Sequence, residues 1–256
     1  MPSFSVSPVT LKPVLLVLTL ALTQVCHAIE FTSSSTRTGL LEVYTSEGCS
    51  SCPPADRWLS SLKAKKQLWR DLIPIAFHVD YWNYIGWSDR FSDAAFSARQ
   101  QNYRTQGGLK SVYTPGFVYN GKEWRNWFRR QAEQFPNPNQ TGILRLNVED
   151  GHAQVSFEPL PGAANRFHVN LVLLGFDLAT DVKAGENRGR NLQHDFVVLG
   201  VNRGQIDSTG EFKTSLPLPN PSAKAPRYAV AAWVSPTNLQ TPLQAVGGYL
   251  PTGFTP

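Results

Sequence analysis

Two cysteines three positions apart, Cys49 and Cys52, are the residues of this sequence best suited to carry chemistry. They lie in Thr45–Asp56 (TSEGCSSCPPAD), between an apolar run typical of a strand and a pattern typical of a helix. A cysteine near a helix N-terminus is acidified, because unpaired N–H groups and the helix dipole stabilise its thiolate. With two residues between them, Cys49 can attack a disulfide and Cys52 can resolve the mixed disulfide. The spacing therefore predicts an oxidoreductase that performs thiol–disulfide exchange.

Cysteine pairs of this spacing also occur in metal sites and as inert structural disulfides. A structural zinc site needs four ligands, whereas the sequence has no second cysteine pair and its histidines are scattered. A soft ion such as Cu(I) suits two sulfurs, with His78 as a candidate third ligand. A copper-binding or delivery module is therefore the alternative function. The sequence shows no nicotinamide or flavin fingerprint, so we expect no cofactor beyond a redox-active disulfide, and no resident metal.

The first 28 residues have the form of a secretory signal peptide. Lys12 supplies a positive charge, Val14–Leu22 is a short apolar run, and Ala28 is a small residue at its exit. The apolar run is shorter than the ~20 residues that span a bilayer. We predict cleavage after Ala28 and export to the periplasm or beyond, without a membrane span; lipidation of Cys26 and a retained anchor are the alternatives. Cleavage removes Cys26, the third cysteine, and leaves only the pair.

The composition restricts the partners that this protein can have. Hydrophobic residues make up 41% and charged residues 17% of 256 residues, which excludes a disordered chain or a coiled coil. The formal net charge is +5, but the basic residues occur as isolated pairs rather than runs. We therefore expect no nucleic-acid partner. The cysteine chemistry implies instead a partner protein that carries a dithiol or a disulfide.

Residues 29–135 alternate predicted strands with predicted helices. The predicted strands are Leu40–Thr45, Leu72–Val79 and Gly116–Tyr119, and the predicted helices are Pro53–Lys66, Ser92–Arg104 and Trp124–Gln134. The dipeptide Asn120-Gly121 is a strong hairpin turn. Strands that alternate with helices indicate an α/β domain, in which helices flank a mixed sheet.

A change of pattern follows Pro136–Asn139, a proline- and asparagine-rich stretch that we interpret as a linker. Residues 140–256 contain short apolar or alternating runs separated by turn residues, and no evident helix. This pattern predicts an all-β, sandwich-like domain. The sequence thus predicts a signal peptide over 1–28 and domains over 29–135 and 140–256.

Thr114 and Pro115 directly precede a predicted strand and its hairpin. In thioredoxin-like folds a cis-proline occupies this place beside the cysteine pair, and only X–Pro bonds populate cis readily. We expect Thr114 to offer backbone groups to an extended substrate; an ordinary trans proline in a turn is the alternative. Asp80 follows the second predicted strand. It can assist proton transfer to or from Cys52, or serve as a turn or capping residue.

Five short stretches form a combination specific to one family. They are Tyr44–Asp56 (YTSEGCSSCPPAD), Phe77–Trp82 (FHVDYW), Gly86–Trp87, Tyr113–Pro115 (YTP) and Glu186–Arg190 (ENRGR). From about Leu40 to Gly248 the chain resembles the secreted bacterial thioredoxin-like proteins grouped as domain of unknown function 1223. The resemblance implies a thioredoxin-like α/β domain followed by a β-rich region, and no established reaction. The charged residues of ENRGR form either an anion or partner contact or a loop between strands.

Overall fold

The centre of the fold is a pair of parallel strands, β2 (Gly39–Thr45) and β3 (Leu72–His78). All residues of both strands are buried, which agrees with their nearly continuous apolar sequences. The computed structural model of the protein describes residues 1–3, 28–128, 135, 137, 139–163, 166–206 and 210–256. The predicted signal peptide lies almost entirely outside these residues, and its cleavage stays a prediction.

The described residues form fourteen strands and two α-helices. The other strands are β1 (Ile29–Thr32), β4 (Gly116–Tyr119), β5 (Lys122–Glu123), β6 (Gly142–Glu149), β7 (His152–Pro159), β8 (Phe167–Phe176), β9 (Leu178–Asp181), β10 (Asn191–His194), β11 (Val197–Ile206), β12 (Glu211–Ser215), β13 (Arg227–Pro236) and β14 (Gln244–Tyr249). The helices are α1 (Pro53–Ser61) and α2 (Ala94–Thr105). Single 3₁₀ turns are Leu62–Ala64, Asn83–Ile85, Asn126–Phe128 and Pro221–Ala223. No helix in these ranges is long and apolar enough to cross a membrane.

The strands form one large sheet and two smaller ones. The large sheet has eight strands in the order β14-β13-β8-β11-β3-β2-β4-β5. Within it β11 runs parallel to β3, where Val197 pairs with Ala76, and the remaining pairs apart from β2–β3 are antiparallel. The small sheet has the order β1-β6-β7-β12, and β9 pairs with β10 as a two-stranded ribbon. The large sheet therefore combines strands from both halves of the chain.

The predicted fold, an α/β thioredoxin-like domain followed by an all-β sandwich-like domain, is wrong. The described residues are mostly strand, with only two α-helices. Strands β8, β11, β13 and β14 do not form a separate sandwich, because they extend the sheet that contains β2 and β3. Conversely, β1 belongs to the first half of the chain but pairs with β6 in the small sheet. The predicted strands Leu40–Thr45, Leu72–Val79 and Gly116–Tyr119 match β2, β3 and β4, but the pairing of these strands with the second half of the chain was not predicted.

Two apolar cores lie on opposite faces of the large sheet. Successive side chains of a strand point to opposite faces. In β8 accordingly, Val172 and Leu174 belong to the first core, while Leu171 and Leu173 belong to the second. The first core includes buried side chains of α1 and α2, and the second includes those of β6 and β7 in the small sheet. Burial on both faces holds the strand ends, and the loops that follow them, in fixed positions.

The elements around the cysteines agree with their sequence patterns. Strand β2 ends at Thr45 and α1 begins at Pro53, and the predicted hairpin joins β4 and β5 through Asn120 and Gly121, both with positive φ. The predicted helix over Trp124–Gln134 shows only the 3₁₀ turn Asn126–Phe128, and residues 129–134 lie outside the described ranges.

Candidate functional site

Cys49 and Cys52 form a disulfide at the N-terminus of α1. Cys52 is the N-cap residue, and prolines occupy the first two helical positions, where a missing N–H costs no hydrogen bond. The N–H of Cys49 donates to the carbonyl of Ser46 (3.1 Å), and that of Cys52 donates to the carbonyl of Cys49 (3.2 Å). The exposed fractions of Cys49 and Cys52 are 1% and 0%. The sequence correctly predicts the position of the pair, and the structure adds that both residues are covered.

Trp82 connects the cysteine loop to the loop that contains Thr114 and Pro115. A Cβ at Gly48 would lie 2.9 Å from Cβ of Trp82, so the close approach of this tryptophan requires a glycine. The indole Nε1 of Trp82 donates to Oγ1 of Thr114 (2.8 Å). The Thr114–Pro115 peptide bond is cis, the isomer that the order of the elements favours. Thr114 and Pro115 thus lie near the loop that contains Cys49.

An aromatic groove begins at Pro115. It has a volume of about 420 Å³ and is lined by Ser111, Tyr113, Pro115, Phe117, Trp124, Arg125, Trp127 and Phe128. Trp58 of α1 packs against its floor, with ring centroids 5.6 Å from Phe117 and 5.4 Å from Trp124. The side of α1 therefore supports the groove, and Phe128 at its edge is 64% exposed.

The segment Glu186–Arg190, between β9 and β10, covers the cysteine loop; we call it the cover segment. The amide of Asn187 is buried, and its Nδ2 donates to the carbonyls of Glu47 (2.8 Å) and Cys49 (3.0 Å). Glu186 accepts a hydrogen bond from the N–H of Ser50 (3.2 Å). The segment ENRGR forms a loop between β9 and β10, as one of its two interpretations has it, and an anion or partner contact of its charged residues stays a prediction. No sequence pattern indicated that Asn187, rather than the charged residues, would bind the cysteine loop.

Five buried titratable side chains lie behind the disulfide. We call them the buried cluster, and its members are Glu47, Asp56, His78, Asp89 and His194. Nδ1 of His78 lies 2.7 Å from Oδ2 of Asp89, which also accepts the N–H of Glu47 (2.9 Å). The rings of His78 and His194 meet edge to face, with centroids 5.0 Å apart. The described residues include no group of three or more His, Cys, Asp or Glu side chains placed to hold a metal ion.

His194 lies between two carboxylates without hydrogen-bonding to either. Its Nε2 is 3.5 Å from Oε1 of Glu47, and its Nδ1 is 3.8 Å from Oδ2 of Asp56. Neither ring nitrogen has a hydrogen-bond partner among the described residues, and the same is true of Oε1 of Glu47. Buried polar atoms usually have a hydrogen-bond partner. These three atoms have none among the described residues, so they are free to accept or donate a hydrogen bond.

Burial and mutual charge shift the pKa values in this cluster. Burial raises the pKa of Asp56, and this effect outweighs the opposing influence of His194, His78 and the hydroxyl of Thr45. For His78, burial acts to lower the pKa, but the carboxylate of Asp89 raises it overall. Burial acts to raise the pKa of Asp89, yet its contact with His78 lowers it overall. Asp56 thus retains its proton to a higher pH than an ordinary carboxyl group.

Asp80, the predicted proton-transfer residue, lies in a turn. Its Oδ1 accepts the hydroxyl of Ser97, and its carbonyl accepts the N–H of Asn83 (2.9 Å). Within the described ranges, no contact joins Asp80 to either cysteine. The buried carboxyl group on the cysteine helix is instead Asp56, whose N–H donates to the carbonyl of Cys52 (3.0 Å). The sequence could have indicated Asp56 as a candidate, because it lies four residues after Cys52 in the first turn of α1.

A family model described as "protein of unknown function (DUF1223)" matches residues 40–235. The chain belongs to this family. The match confirms the predicted resemblance, and it includes the disulfide, the cis-proline loop, the cover segment and the whole buried cluster. The description of the DUF1223 family states no activity, and no curated protein matches the chain.

Two solved structures resemble this member of the DUF1223 family. Protein AGR_C_4864 from Agrobacterium tumefaciens is 24% identical, with a TM-score of 0.57 over 88% of this chain and 98% of that one. HBP35 of Porphyromonas gingivalis is 11% identical, with a TM-score of 0.53 over 88% of this chain and 80% of that one. At these identities the likeness shows the fold alone.

Proposed function

We propose that this protein is an exported thiol–disulfide oxidoreductase whose reactive group is the Cys49–Cys52 pair. The observation that carries the proposal is the disulfide at the N-terminus of α1, where helix N–H groups favour a thiolate. The pair is also the only pair of cysteines within the described residues. A loop of so few residues constrains little of the unfolded chain, so a purely structural role would bring little stability.

The proposed exchange proceeds in two steps. A thiolate of the partner attacks Sγ of Cys49, and the S–S bond breaks with Cys52 leaving as a thiolate that takes up a proton. A second thiolate of the partner then attacks the partner's other sulfur, the one bonded to Cys49 in the mixed disulfide. The bond to Cys49 breaks, and Cys49 is released as a thiolate. The partner is oxidised to a disulfide, and the pair is reduced by the same two electrons; the reverse sequence oxidises the pair.

Asp56 is our candidate for the group that exchanges a proton with Cys52. It lies one helical turn from Cys52 in α1, and burial raises the pKa of its carboxyl group. A carboxyl group with a raised pKa can give a proton to a leaving thiolate and accept one from an attacking thiol. His194 lies between Asp56 and Glu47, with 3.8 Å from its Nδ1 to Asp56 and 3.5 Å from its Nε2 to Glu47.

The aromatic groove at Pro115 supports a protein as the partner. Its rings offer an apolar surface for an extended segment, and Thr114, which precedes the lining residue Pro115, accepts a hydrogen bond from Trp82 beside the cysteine loop. The copper alternative has less support. Nδ1 of His78 is engaged by Asp89, and the structure describes no third side chain placed to complete a metal site with the sulfurs.

The test is exchange with glutathione, followed by the redox potential of the pair. We expect Cys49→Ser to abolish the reduction or oxidation of a model disulfide, and Cys52→Ser to accumulate mixed disulfides. A potential near −120 mV would identify an oxidant, and one near −270 mV a reductant. If the native pair neither equilibrates with glutathione nor, once reduced, alkylates faster than a free thiol, the proposed function is wrong.

A further inference from the structure

A cavity of about 320 Å³ lies between α2 and the large sheet. Its walls come from Ala95, Ala98 and Arg99 of α2 and from strands β8, β11 and β13, and a loop at Leu239 and Gln240 closes one side. Its lining residues include no member of the buried cluster and neither cysteine. A volume of this size lies at the lower end of the range for sites that bind small molecules.

Arg203 is an exposed cation that lines this cavity. It makes no hydrogen bond or ion pair through its guanidinium with any residue that the structure describes. The neighbouring Arg99 is different, because Glu42 holds it with two contacts of 2.6 and 2.9 Å. Partial burial, and then the positive charge of Arg99, lower the pKa of Arg203, while Asp93 and Tyr44 act in the opposite direction. An anion in the cavity would further favour the charged guanidinium.

Asn170 is the second polar group of the cavity. It is directly opposite Arg203 in the β8–β11 pair and only 7% exposed. Its side-chain amide lines the cavity and has no hydrogen-bond partner within the described ranges. The amide atoms are not sealed from solvent, so they open into the cavity. The position of Asn170 beside Arg203 makes an amide donor available to the same occupant.

The remaining walls are fixed in place and largely apolar. Nε2 of Gln240 donates to the carbonyl of Arg99 (2.7 Å), and its N–H donates to Oε1 of Gln106 (3.0 Å), so the closing loop is tied to α2. Nε2 of His168 donates to the carbonyl of Thr237 (2.8 Å). The side chains of Ala95, Ala98 and Leu239 supply small apolar surfaces. The cavity thus combines a cation with apolar surfaces and with polar side chains that include Asn102, His168 and Ser235.

We propose that this cavity binds a small organic carboxylate. The carboxylate pairs with the guanidinium of Arg203, which matches it in a bidentate geometry, and accepts a hydrogen bond from the amide of Asn170. The apolar part of the ligand lies against the alanines of α2 and Leu239. A carboxylate on an apolar body fits this lining better than inorganic phosphate, which would leave the apolar walls without a partner.

Titration of the folded protein with benzoate, benzamide and inorganic phosphate, followed by amide NMR shifts, tests this inference. We expect saturable shifts around Arg203 and Asn170 with benzoate, and binding of benzamide weaker by roughly tenfold or more. Arg203→Gln should weaken benzoate by a similar factor. Arg145→Gln, which removes an exposed cation of the small sheet, should leave it unchanged. Ala98→Phe, at an exposed position of the lining, should block the cavity without a change of charge.

Three results would overturn the inference. They are equal affinity for benzoate and benzamide, unchanged binding in Arg203→Gln, and binding of phosphate but not benzoate up to about 10 mM. The spectrum of each variant without ligand establishes that it is folded. Cys49→Ser should bind benzoate like the native protein, so this test stands independently of the thiol chemistry.

Discussion

His78 and Asp89 form an ion pair within the buried cluster. The raised pKa of His78 means that its stabilising contribution is complete below the unfolded pKa of ~6.5 and is lost as the pH rises through the folded pKa. The lowered pKa of Asp89 means that its contribution is complete above ~3.9 and is lost as the pH falls through the folded pKa. The pair therefore stabilises the fold most between about pH 4 and 6.5.

We predict that Asp89→Asn destabilises the protein by about 3 kcal/mol at pH 6, since it leaves a buried imidazolium without its counter-ion. The pKa of His78, followed by NMR, should fall, because the carboxylate that raises it most is then lost and burial is opposed only by the more weakly acting Asp56 and Glu47. Asp71→Asn is the control: it breaks the exposed pair with Arg70 and should leave the denaturation midpoint nearly unchanged. An unaltered pKa of His78 in Asp89→Asn would show that the two side chains are not coupled.

Asp56 and Asp80 can be compared directly as proton-transfer groups. Because the pKa of Asp56 is raised, the fold favours its protonated form and loses stability as the pH rises from the unfolded value towards the folded one. Asp56→Asn mimics the protonated form, so we predict higher stability at pH 7 together with exchange slowed by about 100-fold. The pH–rate profile of the variant should also lose the step due to this group.

Asp80→Asn is the matched variant for this comparison, because Asp80 contacts Ser97 rather than the cysteine helix. It should leave the rate and its pH profile unchanged. If Asp80→Asn slowed the exchange and Asp56→Asn did not, Asp80 rather than Asp56 would be the proton-transfer residue.

At the scale of elements, the cover segment limits access to Cys49. Asn187→Ala removes two hydrogen bonds to the cysteine loop, each worth about 1 kcal/mol. We predict that reduction of the disulfide by dithiothreitol, and then alkylation of Cys49, become faster by roughly tenfold. Asn191→Ala on neighbouring β10 removes two exposed hydrogen bonds, to Asp181 and from Gln193, and serves as the control. Equal rates in the native protein and Asn187→Ala would mean that the segment does not restrict the cysteine.

Some elements and site residues could be predicted from the residues next to them in the sequence, and others could not. The apolar runs of β2 and β3 and the start of α1 were predictable, because periodicity and proline positions act on neighbouring residues. Cys49, Cys52 and Pro115 were likewise recognisable from residue type. Asn187 was not, because it binds the carbonyl of a residue 138 positions away. The strand β14 was missed because its sequence, QAVGGY, contains two glycines and gives a weak strand pattern.

At the scale of the whole molecule, the large sheet makes the two halves of the chain interdependent. Without β11, one edge of β3 would be unpaired, and without β6, β1 would lose its partner. This long-range pairing is the part of the fold that the sequence did not reveal, because the pairing residues Ala76 and Val197 belong to separate sequence patterns.

We predict that the isolated segment 29–135 does not fold. In urea it should show no cooperative transition by circular dichroism and few dispersed amide signals, whereas residues 29–256 should unfold in one transition. The comparison tests whether the proposed boundary at residues 136–139 separates autonomous domains. A sharp transition of the isolated segment would show that it does.

The contact of Asn187 with the cysteine loop also sets an order of events during synthesis. Asn187 follows Cys52 by 135 residues (187 minus 52). At ~5–20 residues per second, the ribosome needs roughly 7–27 seconds to produce them. During that interval Cys49 and Cys52 are present while the segment that will cover them does not yet exist. The two hydrogen bonds from Asn187 that cover the cysteine loop can therefore form only after the loop and α1 have been made.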